Sequence, residues 1–152
     1  ESFWYGFHHN FFYFNYFHSI ADDDGCLYRT DACEEYDRRK INSLLKDAGI
    51  VRNKLKVEGA VANAKVFLQV RKEFRTFDKY IWSFVDSKPI QRNFKSLKEI
   101  PAKTKLSDKI SDNLRERGFK FVGSTIVYAH MQATGMVNDH VVSCFRHNEI
   151  RE

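Results

Sequence analysis

Three cysteines, Cys26, Cys33 and Cys144, are too few and too unevenly spaced to form a disulfide framework. A reducing compartment, the cytoplasm, is therefore the expected location. Apolar runs are short: none reaches the ~18–20 residues that span a bilayer, so no membrane partner is expected. The aromatic opening FWYGFHHNFFYFNYF is interrupted by His8, His9, Asn10 and Asn15, and it lacks the basic start and cleavage site of a secretory signal. Sustained alternation of apolar and polar residues is missing, as are Asn-Gly hairpin signals, which argues against a β fold.

What remains is a chain of 152 residues, 43% hydrophobic, the size of one domain with a core of its own. Its net charge of +5 favours an acidic partner such as nucleic acid. The chain starts at Glu1 without an initiating Met, so further upstream residues are expected. Residues 1–20 are crowded with rings and carry no clear period; residues 21–39 are polar and read as loop or as a helix with a poor core face.

From Lys40 onward the periodicity is helical. INSLLKD places Ile41, Leu44 and Leu45 on one face and ends at Gly49. VRNKLKVEGAVANAKVFLQVRKEF sets Leu55, Ala62, Val66 and Val70 on one side and basic residues on the other. TFDKYIWSFV begins at a Thr76 cap and stops before Pro89. LSDKISDNLRERG carries an apolar stripe of Leu106, Ile110 and Leu114 and ends at Gly118; STIVYAHMQATG is a short, buried helix closed by Gly135. The class is all-α, a single domain over residues 1–152.

RGFKFVGST, residues 117–125, comes close to a phosphate-cradling P-loop, with Gly118 and Gly123 correctly spaced. A P-loop needs a lysine after the second glycine and a strand before the first. Ser124 occupies the lysine position, and the preceding residues are helical, so the P-loop reading fails. Two readings of the helix–hairpin–helix remain: a plain turn, or a phosphate anchor. In the second, Gly123 admits an oxygen to the backbone, Ser124 and Thr125 add hydroxyls, and Arg115, Arg117 and Lys120 supply charge.

The run LLKDAGIVRNKLKVEGAVANAKVFL, then YIWSFV, then PAKTKLSDKISDNLRERGFKFVGSTIVYAHMQATGMVNDHVVSC closely resembles the DNA-3-methyladenine glycosylase I family, from about Ile41 to Cys144. The resemblance implies a monomeric helix-hairpin-helix enzyme of base-excision repair that hydrolyses the N-glycosidic bond of 3-methyladenine in alkylated double-stranded DNA. It makes Gly118, Lys120, Gly123, Ser124 and Thr125 the DNA-backbone anchor. In the spacing that fits the family's pocket stretch, ESFWYGFHH puts Glu1 on the base-recognising glutamate, keeps Gly6 and Phe7, and has His9 where the family has Trp.

The resemblance also implies a structural zinc, held by an N-terminal Cys and His and a C-terminal His-x-x-x-Cys. His140 and Cys144 match the latter pair. The other two ligands belong to family residues upstream of Glu1, so the zinc site is expected to be incomplete; His18, Cys26 and Cys33 are off-position substitutes. Asp139 stands at about the distance after the hairpin where the wider helix-hairpin-helix superfamily has a catalytic aspartate; of the two roles, the favoured one is the carboxylate that orients His140. Arg52, Asn53 and Lys54 are read as a solvated helix start rather than a DNA contact. The alternative to an enzyme is a non-catalytic or truncated helix-hairpin-helix DNA-binding module.

Overall fold

The computed structural model describes residues 35–49 and 52–149. Expectations on Glu1, Gly6, Phe7, His9, His18, Cys26 and Cys33 lie outside these residues.

Helix α1 (Arg38–Leu44) is capped by Asp37, whose carboxylate accepts from the Lys40 N–H at 2.8 Å, and it has no fully buried residue. Gly49 was expected to stop it, but the helix ends earlier. Tighter turns take over as the Lys46 N–H reaches Ser43 O and the Asp47 N–H reaches Leu44 O. Asp47 then accepts from the Gly49 N–H, so the glycine closes a separate side-chain turn.

Helix α2 (Lys54–Phe74) is the long element. Asn53 caps it by accepting from the Lys56 N–H, and Lys54 pairs with Glu58 at 3.8 Å, in keeping with the solvated-start reading of this stretch. Its buried face carries Val57, Val61, Ala64, Phe67 and Val70. The expected stripe was partly wrong, since Leu55 is exposed and Val66 only lies against the core. Several small apolar residues crowd this helix, and the sequence alone does not fix which of its sides meets the body.

Helix α3 (Phe77–Trp82) starts at the expected Thr76, which accepts from the Lys79 N–H. A 3₁₀ turn (Ser83–Val85) follows, and Asp86 and Ser87, both at positive φ, turn the chain before Pro89. Helix α4 (Lys105–Glu116) opens on a reciprocal capping box between Thr104 and Ser107. Helix α5 (Ser124–Ala133) packs along it, and a short helix α6 (Arg146–Glu149) follows near the chain end.

The core joins Phe67 and Val70 of α2, Phe77, Tyr80 and Ile81 of α3, Ile110 and Leu114 of α4, and Val127, Tyr128 and Met131 of α5. Phe67 stacks on Phe77 at 5.2 Å, and Phe77 meets the edge of Phe119 at 6.0 Å, so the aromatic chain links α2 and α3 to the hairpin after α4. The helical class holds. One element was not expected, a two-residue parallel bridge of β1 (Ile90–Gln91) with β2 (Val137–Asn138), too short to leave a periodic trace. Among the described residues no helix is long and apolar enough to cross a membrane.

Candidate nucleic-acid interface

Helix α4 is C-capped by Arg117, and Gly118 takes φ = +102°, a conformation that glycine enters without a side-chain clash. The Gly118 N–H bonds Arg115 O and the Phe119 N–H bonds Leu114 O, the paired closure of a Schellman end. Phe119 then drops into the core beside Leu114. Gly118 thus shapes the turn, and its own N–H is already used.

The next residues are pinned from outside the hairpin. Asn63, buried on α2, accepts from the Lys120 N–H at 2.7 Å and donates to Lys120 O at 3.1 Å. Ser111 on α4 donates to Val122 O at 2.6 Å. Between these points Phe121 sits at φ = +61°, half exposed, with its ring against Gly59 of α2. A left-handed backbone at a bulky residue costs on the order of 1–3 kcal/mol and persists only where surrounding contacts hold it. The Lys120 side chain is left exposed.

Gly123 is different from Gly118. Its backbone (φ −65°, ψ 154°) suits any residue, and a Cβ there would meet only Arg115 Nη2, at 3.9 Å. It caps α5 with no side chain over the helix's first N–H groups, which carry the positive end of the helix dipole. The exposed Thr125 lies in that first turn. The fold does not require glycine at this point, but close approach by an anion would.

One expected donor is engaged elsewhere. Arg117 makes two hydrogen bonds to Glu73, at 2.6 and 3.1 Å, and its guanidinium lies over Phe74 and Tyr80 at 5.1 and 4.9 Å. That hydrogen bonding lowers the Glu73 pKa and raises that of Arg117. Arg117 therefore fastens α2, α3 and α4 together. Ser124 lies near Asp108; Ser124 first, and Lys103, 3.1 Å away, lower the Asp108 pKa. Arg115 pairs loosely with Asp112 at 3.5 Å and stays close to Gly123.

The zinc expectation is corrected. His140 Nδ1 and Cys144 Sγ do come within 3.5 Å of each other. Among the described residues, however, no group of three or more His, Cys, Asp or Glu side chains could hold a metal. A structural zinc needs a closed tetrahedral ligand set, and this pair does not fit one. Asp139 does not orient His140 either. It is buried and accepts from the Tyr128 hydroxyl and, at 2.8 Å, from Gln132 Nε2. Burial first, and Asp139 second, push the Tyr128 hydroxyl far above its ordinary pKa. Asn138 donates to Gln91 at 2.8 Å and to His147 O at 2.9 Å, while its own oxygen receives the His140 N–H. These residues hold the C-terminal segment on the body.

Sequence reasoning missed Gly59, Asn63 and Ser111. Asn63 did leave a signal, an amide between two alanines in the run VANA.

Two helices joined by a pinned hairpin, inside this all-helical body, define a domain of the helix-hairpin-helix DNA glycosylase fold. The methyladenine glycosylase family model matches residues 26–147, further in both directions than the expected Ile41 to Cys144, and the chain belongs to that family. DNA-3-methyladenine glycosylase 1 of Escherichia coli (strain K12) is 45% identical over 104 residues, which cover 68% of this chain and 56% of that protein. The DNA-3-methyladenine glycosylase of Haemophilus influenzae is 37% identical over 122 residues, covering 75% and 66%. A crystal structure of 3-methyladenine DNA glycosylase I superposes with a TM-score of 0.71 at 38% identity, covering 76% of this chain and 64% of that one. The chain thus spans between about half and two thirds of the length of the relatives it matches.

Proposed function

We propose that this protein is a DNA glycosylase of base-excision repair that hydrolyses the N-glycosidic bond of 3-methyladenine in alkylated double-stranded DNA. The observation that carries the reading is Gly123: a glycine that its own backbone does not require, opening the N-terminus of α5 beside Lys120, Thr125 and Arg115. In this role Gly118 sets the turn and Gly123 admits a phosphate oxygen to the N–H groups. Lys120 supplies charge, Thr125 a hydroxyl, and Ser124 its backbone N–H. Such a grip positions the duplex without reading sequence.

The chemistry follows from the substrate. Alkylation at N3 leaves the base with a positive charge, so its bond to the sugar is already weak and little acid catalysis is needed. The nucleotide must leave the stack, at a cost of a few kcal/mol, and be held while water attacks the sugar carbon. The anchor holds the backbone beside the flipped nucleotide, and the carboxylate of Glu1 is assigned to the base.

Release of free 3-methyladenine from alkylated duplex DNA tests the proposal. The native chain is expected to release the base and Glu1→Gln to lose most of that activity. Salt-sensitive duplex binding without base release would instead mark a non-catalytic DNA-binding module.

A further inference from the structure

We propose that Asn63 and Gly59 of α2 are positioning residues of the DNA-backbone anchor, acting through the hairpin and not by touching DNA. This rests on the reading of the hairpin as that anchor.

Lys120 is the exposed cation at the tip, and both polar groups of its backbone are taken by one side chain 57 positions earlier. A carboxamide can do this because it carries a donor and an acceptor on the same planar group. Asp would keep the acceptor for the Lys120 N–H but set a second oxygen against Lys120 O; Ala would keep neither partner. The neighbouring Phe121 is held at φ = +61°. An unpinned chain would leave that conformation, carrying Lys120 and the entry to Gly123 with it.

Gly59 supplies the second hold. A Cβ built there would lie 2.6 Å from Phe121 Cε2 and 3.0 Å from Cδ2, so the ring occupies the space a side chain would need. Gly59 lies inside α2, where glycine weakens a helix relative to alanine by about 1 kcal/mol. Its presence is explained by the ring. One turn further along α2, Asn63 holds the preceding residue, so a single helix face fixes two consecutive hairpin residues. Ser111, from α4, then holds Val122.

The test is a double-mutant cycle on affinity for a short alkylated duplex, using the full chain, with thermal melting recorded for every variant. Lys120→Ala alone is expected to weaken binding by about tenfold. Asn63→Ala is expected to weaken it comparably, and Lys120→Ala added to Asn63→Ala to cost at least about threefold less than in the native background. A merely structural role for Asn63 would lower melting but leave the two effects multiplicative, and that result overturns the inference. Should Asn63→Ala fail to fold, Gly59→Ala serves in the same cycle. Its added methyl displaces the Phe121 ring, and Phe121→Gly, which removes the ring and accepts φ = +61°, is expected to restore binding. Absence of that rescue also overturns the inference. If Lys120→Ala alone leaves affinity unchanged, the anchor reading itself fails; if only the coupling is absent, the anchor stands and the role of α2 does not.

Discussion

The hairpin at 118–123 and the segment at 137–147 both carry residues that invite a functional reading, and the fold treats them in opposite ways. At the hairpin the protein grips backbone: Asn63 holds both sides of Lys120, and Ser111 holds Val122. Side chains and free N–H groups are thereby left for a partner. In the later segment the protein grips side chains: Asn138 spends its polar atoms on Gln91, His147 and the His140 N–H, and Asp139 Oδ2 takes Tyr128 and Gln132, while Asp139 Oδ1 is buried with no hydrogen-bond partner among the described residues. A chemically rich motif is a candidate site only where the fold leaves its groups both unspent and exposed to a partner.

The contrast breaks most visibly at Asn138. Asn138→Ala removes two donated bonds and one accepted bond from a residue only 1% exposed. It should lower unfolding free energy by about 2–3 kcal/mol in a urea titration. The residual folded protein should bind duplex DNA as before.

Gly123→Ala is the mirror case. The backbone there is ordinary and the space open, so stability should fall by no more than about 1 kcal/mol. Duplex affinity should drop by roughly tenfold, because the methyl stands where a phosphate oxygen would approach. Equal losses of folding and binding would erase the distinction between the two regions.

Asp108→Asn sharpens the hairpin side with a smaller effect. The carboxylate lies near Ser124 and places negative charge near the start of α5. Its removal should tighten duplex binding by about two- to threefold at low salt, read by fluorescence anisotropy. Weaker binding would mean that Asp108 orders the site.

Tyr128→Phe probes the other side through pH. The folded-state pKa of Tyr128 is raised above its ordinary 10.0, by burial first and by Asp139 second. Below pH 10 both states keep the proton and its contribution is fully present; above it the unfolded chain alone releases the proton, and stability falls as pH rises. Tyr128→Phe should flatten that alkaline decline in melting temperature. An unchanged decline would assign it to other groups.

Much of the fold was legible because helix signals are local. Thr76 caps where its hydroxyl can reach Lys79, and Gly118 closes α4 where positive φ is needed. The bridge of Ile90–Gln91 to Val137–Asn138 left no trace, since two residues cannot display a period. The spacing of Gly118 and Gly123 marked the hairpin, yet it did not separate the glycine that shapes the turn from the one that opens the helix end. Arg117 looked like a phosphate ligand until Glu73, Phe74 and Tyr80 were seen around it. Asn63 pairs with Lys120, 57 positions further along the chain, a contact no local pattern encodes. His140 and Cys144 were brought together as the family resemblance implied, but two groups at 3.5 Å are a contact and not a metal centre.

The central claim is that the hairpin holds the DNA backbone, and the salt dependence of duplex binding tests it most directly. Binding constants measured across a salt series for the native chain and for Lys120→Ala should give log–log slopes that differ by about one, the signature of one lost phosphate contact. Identical slopes and affinities for the two proteins would contradict the account.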